Sequence, residues 1–264
     1  MLFDSHAHVD GPEFDADRED VLARARAAGV QRIVVIGAVG DTTSAERSVA
    51  LAERDPDVWA TVATHPHDVE KMTPAWWAVH ERLAPHPRVV AIGETGLDYY
   101  YNHSPKDLQR EAFAKFIDLA RRVNKPVVCH IRDAHEDARE ILVANRAMEL
   151  GVVIHCFTGT PDDARAYAAL GCYVSFSGIV TYKTAQPLRD SVPLVPRDRL
   201  LIETDCPYLA PIPKRGKRNE PGFLVHTAEQ VARSAGMSFD ELAKVTAENA
   251  ARVFRLAAAE SSPA

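Results

Sequence analysis

Short apolar runs recur along the chain, and stretches with helical spacing lie between them. The runs are "MLFDSHAH" at the start, "RIVVIGAV" (32–39), "VWATVATHPH" (58–67), "RVVAIGETGLD" (88–98), "PVVCHIRD" (126–133), "GVVIHCF" (151–157), "CYVSFSGIV" (172–180) and "RLLIETD" (199–205). Each is rich in β-forming residues and reads as a strand. The segments 17–28, 106–122 and 161–170 read as helices, and Gly29, Gly151 and Gly171 stand where a helix ends and the next strand begins. Eight strands alternating with helical connections predict an α/β fold, a closed (β/α)8 TIM barrel. A doubly wound sheet is the alternative, but no G-x-G-x-x-G follows the first strand. The seventh connection, 182–195, carries Pro187 and Pro193 and is a weak helix.

At 264 residues the chain is near the usual length of such a barrel, about 250 residues. A single TIM-barrel domain is therefore expected over 1–257, with 258–264 as a frayed tail. Hydrophobic residues make up 46% and charged ones 26%, ordinary values for a soluble protein with a sizeable core. Nothing resembles a signal peptide, and no apolar run reaches membrane-spanning length. The four cysteines form no C-x-x-C, so neither a disulfide scaffold nor a zinc ribbon is indicated, and a cytoplasmic home is expected. A net charge of −6 argues against a protein that coats nucleic acid non-specifically, yet it allows an enzyme that meets phosphates through bound cations. The oligomeric state is not legible; a monomer is compatible with everything above.

What changes the picture is where the ionisable residues fall. In a barrel of this kind the C-terminal strand ends face the active site. Those ends carry His6 and His8, His65 and His67, Glu94, His130, His155, and Glu203 with Asp205. Strand alternation puts Asp4, His6 and His8 on one face. Six strands ending this way in step are hard to explain as core filling, because each unpaired buried polar group costs on the order of 1–3 kcal/mol. Cys129, Cys156 and Cys206 each neighbour an inward-facing residue, so alternation points them at the helix layer, away from the lumen. Four imidazoles and two carboxylates exceed what one tetrahedral ion uses. A two-metal centre fits better, with ions about 3.5–4 Å apart. On that reading His6 and His8 hold one ion, His130 and His155 the other, Glu94 bridges them, and Asp205 reaches the first.

The segments "DSHAH", "GETGLDYY", "VCHIRDAHED", "VIHCFTG", "SFSGIVTYK", "LLIETDCPYLAP" and "RGKRNEP", in this order, resemble the TatD family of metal-dependent deoxyribonucleases, a branch of the amidohydrolase-type barrels. The resemblance runs from Phe3 to about Phe254. It implies a (β/α)8 barrel with a divalent two-metal site and phosphodiester hydrolysis on DNA. Position by position it implies metal binding by His6, His8, Glu94, His130, His155 and Asp205, with supporting roles for His65 and Glu203.

The mechanism this suggests is hydrolysis of DNA by a metal-activated water, exonucleolytic on single strands, with Asp205 as proton acceptor. Glu203 orients Asp205 or a second water, or is simply a structural carboxylate. His65 donates to a phosphate oxygen or leaving group, or is a satisfied histidine behind the ligands. His67 is expected at the surface. Candidate substrate contacts are Arg132, the basic run "PKRGKR" (213–218) with Lys214, Arg215 and Arg218, and Tyr99, Tyr100 and Tyr101. The tyrosines either stack on an unpaired base or pack under a loop. Trp76 and Trp77 are expected to be barrel packing. Imidazole-rich donors suit manganese or zinc better than magnesium, although the resemblance points to magnesium or manganese. A deacylase of D-aminoacyl-tRNA, or another amide or ester hydrolase on the same two-metal scaffold, is the competing enzyme reading. A metal-loaded scaffold without catalysis is the non-enzymatic one.

Overall fold

The computed structural model of the protein describes residues 1–257; the expected frayed tail, 258–264, lies outside the described residues. Eight strands form one sheet in the order β1 to β8: Leu2–Ala7, Val30–Gly37, Val58–Val62, Val89–Asp98, Val127–Arg132, Val152–Ile154, Tyr173–Phe176 and Leu200–Ile202. Every recorded pairing between neighbours is parallel. The helices are α1 (Arg18–Ala27), α2 (Thr42–Arg54), α3 (Pro74–Leu83), α4 (Lys106–Val123), α5 (His135–Ala144), α6 (Pro161–Ala169), α7 (Gln186–Ser191), α8 (Leu224–Ala235) and α9 (Phe239–Val253). The expected (β/α)8 barrel is therefore the observed one.

Local chemistry accounts for the boundaries. Thr160 caps α6 with a full capping box to Asp163, and Pro161 follows at the first helical position. Ser238 caps α9 through the amide of Glu241. The seventh connection is short, as its prolines imply: α7 spans six residues, with Pro187 in its first turn and Pro193 just beyond it in a 3-10 turn. The expected strand 172–180 stops at Phe176, and a 3-10 turn, Gly178–Thr181, takes over.

The barrel closes between β8 and β1 through hydrogen bonds at the strand ends. The amide of Asp205 donates to the His6 carbonyl at 2.9 Å and the amide of His8 to the Cys206 carbonyl at 2.8 Å. Below them, Ser5 Oγ donates to the Ile202 carbonyl at 3.0 Å. Asp4, fully buried, accepts from the Thr204 amide at 2.9 Å and from its hydroxyl at 2.5 Å. Burial pushes the Asp4 carboxyl up to about 7, against those hydrogen bonds. The segment 203–206 is thus stitched onto β1, which sets Asp205 beside His6 and His8. From outside, Asn249 on α9 donates to the Leu200 carbonyl at 2.9 Å, and Phe254 meets Phe3 at a ring separation of 6.3 Å.

The core lies between sheet and helices. The apolar face of α4, with Phe113, Phe116, Ile117 and Ala120, is buried there, and Trp77 of α3 packs against Phe116 at 5.3 Å. Trp77 is barrel packing as expected. Among the described residues no helix is long and apolar enough to cross a membrane.

Within this layer His80 on α3 is buried, with Nε2 at 2.9 Å from Thr64 Oγ1 and Nδ1 unpartnered. Burial lowers its pKa from the usual 6.5 to about 4. As pH falls through this window the unfolded chain takes up a proton that the folded chain refuses, so stability is lost, in total about 3 kcal/mol. His80→Gln should therefore lose less stability than the wild type between about pH 7 and about pH 4.5. Urea denaturation of both proteins at the two pH values tests this; equal losses would show that His80 carries no acid penalty.

Candidate metal centre

The apolar strands of the barrel end in one polar cluster. At its centre is Glu94 of β4, only 2% exposed. Its Oε1 lies 2.7 Å from His130 Nδ1 and 2.8 Å from His155 Nε2. Its Oε2 lies 3.4 Å from His6 Nε2 and 3.8 Å from His8 Nε2. Asp205 Oδ1 approaches the same pair, at 3.6 Å from His6 and 3.4 Å from His8. One carboxylate oxygen therefore faces each pair of imidazoles. Close approach of β4 and β5 makes this possible: at Gly96 (φ +142°) a Cβ would meet the His130 carbonyl oxygen at 2.1 Å.

Further carboxylates fix the imidazoles from behind. Glu203, fully buried, places Oε1 at 3.0 Å from His155 Nδ1 and accepts the Cys156 amide at 2.7 Å. Asp98 Oδ2 lies 3.0 Å from His130 Nε2 and 2.8 Å from His67 Nε2. Each outer nitrogen donates its proton to a carboxylate, so the inner nitrogen, His155 Nε2 or His130 Nδ1, faces Glu94 and there either donates a second proton or turns a lone pair to a bound cation. His65 differs. Its Nδ1 accepts the His67 amide at 3.1 Å, so the neutral ring carries its proton on Nε2, 3.4 Å from Glu94 Oε1. Burial, aided by His130 and His67, lowers its pKa to about 4. At neutral pH it is a hydrogen-bond donor facing the cavity.

The charges call for a cation. Burial alone would raise the Glu94 pKa, but His155, His65 and His6 hold it well below the usual carboxylate range. Burial opposes a proton on His155, yet Glu94 and Glu203 raise its pKa well above that of a free imidazole. The same contest, won by carboxylates, raises His8 through Asp205 and His130 through Asp98. Positive charge is thus demanded at the cluster, and protons on imidazoles are one way to supply it. A divalent ion is another, and it suits a set in which His6 Nε2 and His8 Nε2 face each other at 3.3 Å. Among the described residues four groups have a suitable composition and spacing: His6, His8 and Asp205; Glu94, His130 and His155; His6, His155 and Glu203; and His65, His67 and His130. The first two match the expected pair of sites. The residues present fit divalent metal.

The cluster forms the floor of a cavity of about 650 Å³, walled by Tyr100, Tyr101 and Arg132 on one flank and by Tyr208 and Leu209 on another. Several expectations need correction here. His67 is not a surface residue: it lines the cavity, because its amide bonds back to His65 and its ring is held by Asp98. Cys156 does not point to the helix layer. Its φ is +41°, which breaks strand alternation, and it lines the cavity with Sγ 3.2 Å from Ser177 Oγ. Tyr99 packs away from the cavity, its hydroxyl donating to Asp137 at 2.7 Å. Of the basic run, Arg218 forks onto Asp17 at 2.7 and 2.9 Å, Lys214 sits over the Phe223 ring and Arg215 over Tyr182; none of the three lines the cavity. Asp17 takes up the charge of Arg218, while Lys214 and Arg215 lie outside the cavity. Asp98 escaped the sequence reading, although Glu94, Gly96 and Asp98 alternate on one face of β4.

A family description of TatD-related DNases matches residues 3–255. The chain belongs to that family. Among curated TatD relatives, YabD of Bacillus subtilis, described as an uncharacterized metal-dependent hydrolase, is 46% identical over 256 residues, covering 97% of this chain and all of that protein. The 3′-5′ ssDNA/RNA exonuclease TatD of Pantoea vagans is 39% identical over 262 residues, with 97% and 100% covered. Among solved structures, the TatD homolog YjjV of Escherichia coli K12 superposes with a TM-score of 0.91 at 28% identity, covering 97% of this chain and 98% of that one.

Asp98 offers a direct check on the centre in this TatD protein. Asp98→Ala would strip the acceptor from His130 Nε2 and His67 Nε2 and should weaken manganese binding roughly 10- to 100-fold. Calorimetric titration of the metal-stripped proteins measures this. Wild-type affinity in the variant would show that Asp98 does not hold His130 in place.

Proposed function

We propose that this hydrolytic enzyme of the TatD family is a two-metal phosphodiesterase that shortens single-stranded DNA from its 3′ end. The observation that carries the reading is the Glu94 carboxylate, with one oxygen turned to His130 and His155 and the other to His6 and His8. On this reading His6, His8 and Asp205 would hold one divalent ion and His130 and His155 a second, with Glu94 offering one oxygen to each pair. The direction and the strand preference follow the names of relatives such as the Pantoea exonuclease. Bound there, divalent cations lower the pKa of water and offset negative charge on a phosphoryl group.

The chain's own groups supply the rest. Asp205, 8% exposed, takes the proton from the attacking water; burial tends to raise its pKa, but His8, His155 and His6 keep it below the usual carboxylate range. His65 presents Nε2–H to a phosphate oxygen or to the departing oxygen. Glu203 contributes indirectly, by holding the His155 ring and the backbone at Cys156. Imidazole-rich donors favour manganese or zinc over magnesium at these positions.

The test is an assay on end-labelled single-stranded DNA with metal-stripped protein given Mg²⁺, Mn²⁺ or Zn²⁺ in turn. Wild type should shorten the 3′ end stepwise, Glu94→Ala should be inactive, and Asp205→Asn should lose about a hundredfold or more in kcat. Wild-type protein that carries metal yet releases no nucleotide under any ion would overturn the proposal.

A further inference from the structure

Four carboxylates, Asp68, Glu94, Asp133 and Asp205, line the cavity, but only one lysine or arginine does, Arg132. It ends β5 two residues after His130, so alternation puts both side chains on the cavity side. Other partly buried arginines of the described chain are spoken for: Arg218 by Asp17, Arg110 by Asp137, Arg139 by Asp163. Among the described residues the Arg132 guanidinium has no carboxylate or carbonyl in bonding range. It is held instead by rings, 4.0 Å above Tyr100 and 4.8 Å from Tyr101. A cation–π contact fixes the plane of a guanidinium while leaving its five N–H donors free.

The rings beneath it are exposed yet firmly placed. Tyr100 is 59% and Tyr101 51% exposed, more apolar surface than a residue with a packing role needs to show. The Tyr101 amide donates to Asp98 Oδ1 at 2.8 Å, so the carboxylate that holds His130 also anchors the shelf. Gln109, fully buried, braces the same loop, accepting the Asp98 amide at 2.7 Å and donating to the Ser104 carbonyl at 2.8 Å. Tyr101 stacks on His103 at 5.5 Å and meets His67 edge-on at 5.4 Å. The shelf is thus built at a fixed position beside the histidine cluster.

We infer that Tyr100, Tyr101 and Arg132 form a nucleotide subsite: the guanidinium fork takes a backbone phosphate of the substrate, and the tyrosine rings take an unstacked base next to it. This rests on the nuclease reading above and adds a source of strand preference, since a base paired and stacked in a duplex has no free face for the shelf. Base–aromatic stacking is sequence-tolerant, so the subsite recognises single strands of any sequence.

Binding of a 5′-fluorescent single strand with phosphorothioate linkages, which the metal-loaded enzyme holds with little turnover, reads the subsite directly by anisotropy. A second strand has abasic residues in place of its 3′-terminal nucleotides. Tyr100→Ala should weaken binding of the first strand roughly tenfold and of the abasic strand hardly at all, and Tyr100→Phe should restore it. Arg132→Gln should weaken both strands and reduce the salt slope by about 0.7, the share of one phosphate on a single strand. Thermal melts confirm that the variants fold. If wild type cleaves DNA while all variants bind both strands as it does, the subsite is overturned alone. If wild type binds neither strand, the nuclease reading falls and the subsite with it.

Discussion

Everything in this barrel's upper end is arranged around one buried carboxylate. Glu94 sits where the strands converge, almost without solvent, and an ionised carboxylate there is untenable unless positive charge and hydrogen bonds surround it. Five imidazoles meet that demand, His6, His8, His65, His130 and His155, each within 4 Å of one of its two oxygens. Replacing Glu94 by a neutral side chain would remove more than one ligand, since the imidazoles would then repel one another across the gap. His6 and His155, stacked at 3.7 Å with nearly parallel rings, show how close that crowding is.

Imidazoles packed so closely need their tautomers fixed, and the fold does this from a second row. Glu203 takes the outer N–H of His155 and Asp98 those of His130 and His67, and both also bind backbone: Asp98 the Tyr101 amide, Glu203 the Cys156 amide. The same carboxylates therefore define ring orientation and loop path together. Asp4 does the equivalent work for Asp205 by tying Thr204 to β1. Closure of the barrel and the layout of the centre share the same hydrogen bonds, because those at the ends of β8 and β1 run through His6, His8, Asp205 and Cys206.

Strand positions and the ionisable residues at their ends were legible because apolar runs that stop at His, Glu or Asp mark both a strand and its polar end. Alternation was the limit of that logic. It holds within β4, where continuing it past Glu94 by two and four residues reaches Gly96 and Asp98, a step the sequence permitted. It fails where the chain leaves extended geometry, as at Cys156 with φ +41°. His67 illustrates the same limit, since a bond from its own amide to the His65 ring turns it inward after β3 has ended. The basic run misled for a different reason. A cluster of charges along the chain says nothing of which partners lie nearer than the cavity, and Asp17, contributed by a residue 201 positions away, is invisible locally.

Charge ties these observations to substrate. The protein carries −6 overall, and its cavity is lined by four carboxylates against a single arginine. Such a lining gives phosphate few permanent partners, so on the proposed function affinity for a nucleic-acid strand would come from positive charge at the floor, with Arg132 at the wall as the permanent contribution. Of the basic run outside the cavity, Arg218 is already neutralised by Asp17, and Lys214 and Arg215 do not line it. On the proposed function, metal loading and strand binding would be thermodynamically linked, each stabilising the other. The ions that do the chemistry would then also be the ions that draw the substrate in, because the imidazole protons they displace are fewer charges than the ions bring.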